Sequence, residues 1–458
     1  MQLAKAEVSS NSSATRAMKD LALVRENDAE KGVHRILRRA QLSCPVDVEK
    51  VDLGEGKLRA FPMILLSSWV QYLLDTKSLW RQFTGVRSLP KMQAVLEEFW
   101  HRYRVIWPNH PVFALADSNN LNLSCSIPFY SHTDEGRSMK HLAFWILSCA
   151  GAIGRGTSLF VEAGRQRARL ADNGMGLNFL GGTFSTQFII GCMLKTLSNQ
   201  SPDAIDRMIE LFTADVVKLM HEGFKAKDAS IHCWMIPIGA KGDLPALVKL
   251  GKMTRSFSHV PRGCSTRKPS KGICHLCLAG QERDEANGLP HIPYEDVSEE
   301  PAWGPTMLRH VAWNSEPPVL HGLGFDVEGQ HAFFCTDIWH NSHMGVFKAW
   351  VGSGLVAAIE SDEILEGGST EAKFESLNKI YQEWVQNRGK TPLVSEITRD
   401  TLCFPASTAV PTGKWAKAAA STQMLLFMDE FFRTHVQGRT GDALLLSVAP
   451  GTYTVAFE

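Results

Sequence analysis

The sequence predicts an α/β protein, with a mixed sheet flanked by helices at residues 121–255 between helical N- and C-terminal parts. Three observations predict it. Apolar runs in that stretch read strand, strand, strand, helix, strand, helix. Apolar residues on either side of it recur at helical spacing. An acid stands just after the first and the fourth strand, at Asp134 and Asp243.

Residues 1–55 are polar and carry Ser9-Ser10-Asn11-Ser12-Ser13, with little sustained apolar periodicity. They read as a mobile tail with one helix, around Asp28 to Leu42. Residues 56–120 predict a helical lead-in domain. Leu65, Trp69 and Leu73, then Leu96, Phe99 and Tyr103, recur at helical spacing before Trp107-Pro108-Asn109-His110-Pro111 closes the run.

Within 121–255, Ser126 to His132 and Leu142 to Ala150 read as strands joined by a turn at Asp134-Glu135-Gly136-Arg137. Thr186 to Met193 is a third apolar run. Pro202 to Phe224 predicts a strongly amphipathic helix, with Ile205, Met208, Ile209, Phe212, Val216, Val217, Leu219 and Met220 as its stripe. A strand from Ser230 to Ile238 then ends at Gly239-Ala240-Lys241-Gly242-Asp243, and a helix runs from Leu244 to about Met253. Residues 256–330 form a loop-rich insertion. Residues 331–458 are expected to be helical and to complete the core, with one stripe through Trp350, Leu355 and Ile359 and another through Phe374, Leu377 and Trp384. Thr422 to Phe432 begins a last helix, and Leu444 to Phe457 reads as a closing strand.

Composition narrows the field only slightly. The 458 residues include 48 basic and 48 acidic ones, so net charge gives no sign of a nucleic-acid partner. Ten cysteines lie mostly alone in apolar surroundings, as buried free thiols do, and with no secretory leader the simpler expectation is a reducing compartment. Ala60 to Leu74 comes nearest to a membrane span, but Ser67, Ser68 and Gln71 interrupt it, so a soluble protein is expected.

The strongest chemical signal is in two parts. Cys274-His275-Leu276-Cys277 in the insertion is followed by Asp337, His340 and His343. Two thiols three apart and two imidazoles three apart make the S/N donor set of tetrahedral zinc, here pinning two distant segments together. On an α-helix His340 and His343 share a face, as does Asp337, which could ligate or orient His340. His259 and Cys264 are spare ligands. A redox pair would open a helix in a βαβ unit that is missing here, and plain packing is the remaining alternative.

Asp134 and Asp243, as carboxylates from neighbouring strand ends, are the donors a pair of Mg²⁺ ions needs for phosphoryl transfer. Either one alone is more commonly a solvated turn residue. From Leu244 to Gln281 no acid occurs, while Lys249, Lys252, Arg255, Arg262, Arg267, Lys268 and Lys271 are basic, which offers a phosphate-binding surface. Gly154-Arg155-Gly156 with Arg165, Arg167 and Arg169 is a weaker second one. An ordinary solvated loop remains the alternative for both.

Taken together, the strand ending at His132-Thr133-Asp134, the strand ending at Lys241-Gly242-Asp243, Cys274-x-x-Cys277 and Asp337-x-x-His340 resemble the catalytic core of eukaryotic DDE transposases. The similarity is greatest to the CACTA/Mirage/Chapaev group and the related Plavaka-like elements, and covers roughly 120–365. It implies an RNase H-like mixed sheet with a zinc-type insertion, structural Zn²⁺ and catalytic Mg²⁺ or Mn²⁺. It also implies a third acid, for which Glu360 is preferred over Asp362, Glu363 and Glu430. DNA is the implied partner, the nucleus the implied location, self-association is left open and no membrane is involved. The alternatives are a descendant without chemistry that binds DNA or protein on the same scaffold, and a zinc-stapled interaction protein whose acids are incidental.

Overall fold

The computed structural model describes residues 2–10, 14–25, 29–40, 46–137, 143–154, 186–225, 231–257, 269–286, 288–337, 339–365, 367–404 and 411–436. The chain is α/β, with a mixed sheet flanked by helices. It divides into two compact units, residues 1–241 with 246–335, and residues 242–245 with 336–458.

The larger unit opens with three helices, α1 (Gln2–Ser10), α2 (Arg16–Ala22) and α3 (Ala29–Arg39). Only α3 matches the expectation for this polar segment. Thr15 caps α2 by accepting from the Met18 amide, and Ala4, Ala14 and Ile36 are buried. Small apolar residues suffice to seat short helices against one another, although no long stripe marks them in the sequence.

A two-stranded ribbon, β1 (Glu49–Val51) with β2 (Phe61–Met63), leads into α4 (Leu66–Asp75), α5 (Leu79–Thr84), α6 (Leu89–Ile106) and α7 (Pro111–Asp117). Proline opens α6 and α7, where its missing N–H costs nothing. These helices are not a separate domain, contrary to expectation. Their buried Leu66, Val70, Phe83, Leu96 and Trp100 belong to one apolar core with the sheet. Trp69 and Trp100 also donate their indole N–H groups to the carbonyls of Ile189 and Ser126, each at 2.7 Å.

The sheet follows as β3 (Ser126–Arg137), β4 (Ala143–Gly151), β5 (Phe188–Leu194), β6 (Phe224–Lys225), β7 (His232–Gly242) and β8 (Phe334–Thr336), with α8 (Lys195–Gln200), α9 (Ala204–His221) and α10 (Leu244–Leu250) between β5 and β8. The strand order is β5-β4-β3-β7-β6, with β8 also paired to β7. The first and fourth strands of the anticipated pattern, β3 and β7, are therefore neighbours at the centre.

Helix α9 buries the expected stripe through Met208, Ile209, Phe212, Val216, Leu219 and Met220. It also buries Asp215, whose carboxylate accepts the Ser67 amide at 2.9 Å. An acid at the N-terminus of α4 meets the positive end of that helix, so the contact compensates the buried charge.

Of residues 331–458, β8 joins the sheet and Phe333 and Phe334 its core as expected, while the helices that follow pack a core of their own. Helices α12 (Phe347–Glu360), α13 (Thr370–Asn387) and α14 (Ala418–Val436) pack Val351, Leu355, Phe374, Leu377, Tyr381, Met424 and Phe427 together. Gln423 ties this core to its loops. It accepts from the Tyr381 hydroxyl and the Leu393 amide and donates to the Thr391 carbonyl. The closing strand anticipated at Leu444 to Phe457 lies outside the described residues.

Removing the Phe212 ring, which is 3% exposed, empties the middle of the α9 stripe. Phe212→Ala is expected to destabilise the larger unit by about 3–5 kcal/mol in urea unfolding. Leu211→Ala, on the 38% exposed face of the same helix, is expected to cost under about 1 kcal/mol.

Candidate functional site

The acids at the sheet centre differ in setting. Asp134 is not in a turn. Strand β3 continues through it to Arg137, with Asp134 opposite Ile146 and Gly136 opposite Phe144. A Cβ at residue 136 would lie 2.9 Å from the Phe144 ring, so this glycine admits an aromatic cross-strand neighbour instead of making the turn. Side chains alternate along the strand. Thr133 is fully buried, Asp134 is half-buried, and Asp134 shares its face with His132.

Glu135 points to the opposite face. Its carboxylate meets Lys195 Nζ at 3.3 Å and also accepts from Lys249, which joins α10 to the strand. The Lys249 hydrogen bond, then its charge and the contacts from Lys195, hold the Glu135 carboxyl below the ordinary range against some desolvation. Lys249, anticipated as a phosphate contact, is thus paired within the fold. Lys252 is likewise paired, with Asp206 at 2.6 Å.

Asp243 follows directly on β7. Beside it, the Gly242 carbonyl accepts the Asp337 amide at 2.9 Å, which brings the Asp337-x-x-His340 segment next to the strand end within the smaller unit. Asp337 then organises the start of the next helical turn. One carboxylate oxygen accepts the Trp339 amide at 2.8 Å, and the other accepts His340 Nδ1–H at 2.7 Å. Asp337 therefore orients His340, one of the two roles open to it.

From Trp339 to Val346 the chain is a π-helix, not an α-helix. Wider winding of this kind is rare and frequent at functional sites. It also separates the two histidines. The His340 side chain is 48% exposed, whereas His343 is buried, packs at a tilt on Trp339 with ring centroids 4.3 Å apart and meets Thr422 Oγ1 through Nδ1 at 3.0 Å. Burial pushes the His343 pKa down. The shared ligand face expected of an α-helix is not formed.

In the insertion, the thiols of Cys274 and Cys277 interact with each other electrostatically. The Leu276 amide donates to Cys274 Sγ at 3.4 Å, and the Cys277 amide also reaches that sulfur. The Cys277 thiol, these amides and the charge of Arg255 pull Cys274 down to about 6, against desolvation. Cys277 is pushed up, first by Cys274 and then by burial. Two sulfurs turned together, with amide donors aimed at one of them, suit a thiophilic metal. Among the described residues no group of three or more His, Cys, Asp or Glu gathers as a metal site. The spare ligands His259 and Cys264 lie outside the described residues, as do Arg262, Arg267 and Lys268.

Arg255 is not a phosphate contact. It is 5% exposed, and its guanidinium donates to the carbonyls of Cys274, His275, His310 and Val311. Nothing in a basic run distinguishes an arginine that ties loops together from one that faces solvent. Lys271 does reach the surface, with Nζ 3.3 Å from Asn314 Oδ1.

Glu360 is exposed at the last position of α12. Of the other acids considered with it, Asp362 pairs with Lys373 at 2.6 Å, and Glu430 accepts from Trp384 and Arg388. Comparison with protein-family models, with curated proteins and with solved structures gave no match for this chain.

Because the folded Glu135 pKa is depressed, its pairing stabilises the protein above the unfolded value near 4.3 and is lost as pH falls through the folded value. The lysines are half-exposed, so Glu135→Gln is expected to cost under about 1 kcal/mol at pH 7. The difference from wild type should shrink as pH falls below the ordinary carboxylate range in parallel denaturant titrations.

Proposed function

We propose that this protein is a transposase-derived DNA-processing protein, built for strand cleavage and transfer by a two-metal DDE mechanism on an RNase H-like core. The observation that carries the reading is the central pairing of β3 with β7, one bearing Asp134 and the other running directly into Asp243. Carboxylates on adjacent strands suit hard divalent cations, which activate the attacking oxygen and stabilise the leaving one. Glu360 is the third acid in this reading. A carboxylate at the negative end of a helix gains nothing from the helix dipole, so its position there favours a role other than stability.

DNA phosphates would meet the exposed Lys271, joined by Arg262, Arg267 and Lys268, while Lys249 and Lys252 stay with their acids. A nuclear location follows from the same reading. No helix among the described residues is long and apolar enough to cross a membrane. Cys274 and Cys277 would hold a structural Zn²⁺, whose binding energy orders a segment with little apolar core of its own. His340, oriented by Asp337, is the further nitrogen donor in this reading, with His343 as the weaker candidate. A second reading, a scaffold that binds DNA or protein without chemistry, is favoured by the lack of a clustered acid triad among the described residues.

Nicking of supercoiled DNA with Mg²⁺ or Mn²⁺ separates the two readings. In the first, Asp134→Ala and Asp243→Ala each lower the rate at least about 100-fold while leaving DNA affinity nearly unchanged. Cleavage that is equal in wild type and variants indicates a contaminant. No cleavage by any of them, with salt-sensitive DNA binding retained, supports the second reading.

Elemental analysis of the purified protein is expected to find about one zinc per chain. Cys274→Ser should lose it, and chelation should lower the Tm of the wild type alone. Wild-type protein without zinc would remove the metal from the proposal.

A further inference from the structure

A cavity of about 70 Å³ opens on the larger unit, where the end of α6 meets the start of helix α11 (Val327–Ala332). It contains neither Asp134 nor any residue of the cysteine segment. Its floor is aromatic. Tyr103 and His110 meet edge to face at 5.6 Å, and His110 and Phe325 do so at 5.0 Å. Its rim is acidic, with the exposed Asp326 and Glu328, and no lysine or arginine lines it.

The imidazole of the floor is already committed. His110 accepts the Val112 amide through Nδ1 and donates from Nε2 to the Pro237 carbonyl. Burial pushes its pKa down to about 4, so the ring is neutral and repels no cation. Tyr103 is pushed up by burial and stays a neutral phenol. Aromatic rings and two carboxylates lining one cavity favour positive charge and disfavour a phosphate. The volume suits a compact charged head. Ile106, 67% exposed at the rim, offers an apolar wall for a methylene stem leading to that head.

We propose that this cavity is a binding site for an alkylammonium group, the head of a lysine side chain or a free aliphatic amine. The site is independent of the DNA reading, since its charge is opposite to that of a phosphate-binding surface.

Saturation-transfer NMR titrations of the full chain with n-butylammonium, with Nα-acetyl-lysine N-methylamide and with the uncharged n-butanol test it. Saturable binding is expected for at least one of the two cations, at least tenfold tighter than for butanol. The tighter cation identifies the source as free amine or peptide. Asp326→Asn with Glu328→Gln should weaken that binding at least fivefold, because Asn retains the cap on α11 while both charges are lost. Raising the salt from about 50 to 500 mM should weaken it as well. Binding of butanol as tight as that of the cations, no saturable binding of either cation, or no effect of the double variant in a protein of unchanged Tm would each overturn the proposal.

Discussion

Strand β7 is buried from Cys233 to Ala240 without a break. A strand buried on every side chain needs cover on both faces, so it must be interior and must have helices packed over it. Helix α9 and the lead-in helices share one apolar core with it. Within this strand polar chemistry is excluded by burial. It can begin only at the end, at Lys241 and Asp243. Lys241 is exposed, with its ammonium 3.8 Å over the Tyr130 ring of β3. The run that organises the core thus also determines where charged residues emerge from it.

The insertion is stabilised on a different principle. Residues 269–322 have little regular structure; Ala312, Trp313, Val319 and Leu320 join the main core, and side-chain-to-backbone bonds hold much of the rest. Arg255 is the centre of this arrangement, because a guanidinium can serve several carbonyls at once from one buried position. The same cation lies close enough to Cys274 and Cys277 to favour the thiolate of each. His331, fully buried, places its two ring nitrogens 2.6 Å and 2.7 Å from the carbonyls of Val327 and His310. Loop geometry, sulfur chemistry and the base of α11 are therefore coupled through a few polar residues, and a change at Arg255 reaches all three.

Much of the fold was legible because it rests on periodicity. The α9 stripe, the apolar run of β7, and the strand–strand–strand–helix–strand–helix order all appear in the sequence as local patterns. Less of the candidate site was legible. The Gly136 region looked like a turn because glycine after two acids commonly turns. Only the register with Phe144 makes it a strand position. The Asp337-x-x-His340 motif was visible, but the π-winding that parts His340 from His343 was not, since hydrogen-bond register within a helix has no residue-type signature.

By itself the sequence determined the α/β class, the central strands and the helix that covers them, because burial of periodic apolar residues is a local property written residue by residue. It also determined which donor types are present, the paired cysteines and the strand-end acids. Tertiary structure alone decided which charges are spent inside the fold. Lys249 and Lys252 are neutralised by Glu135 and Asp206, Arg255 is consumed by carbonyls, and Asp215 is drawn to the start of α4. It also decided that residues 56–120 share a core with the sheet and that the C-terminal helices do not. The reason is the same in each case: a charge or an apolar face has a meaning only through its partner, and these partners are distant in the chain.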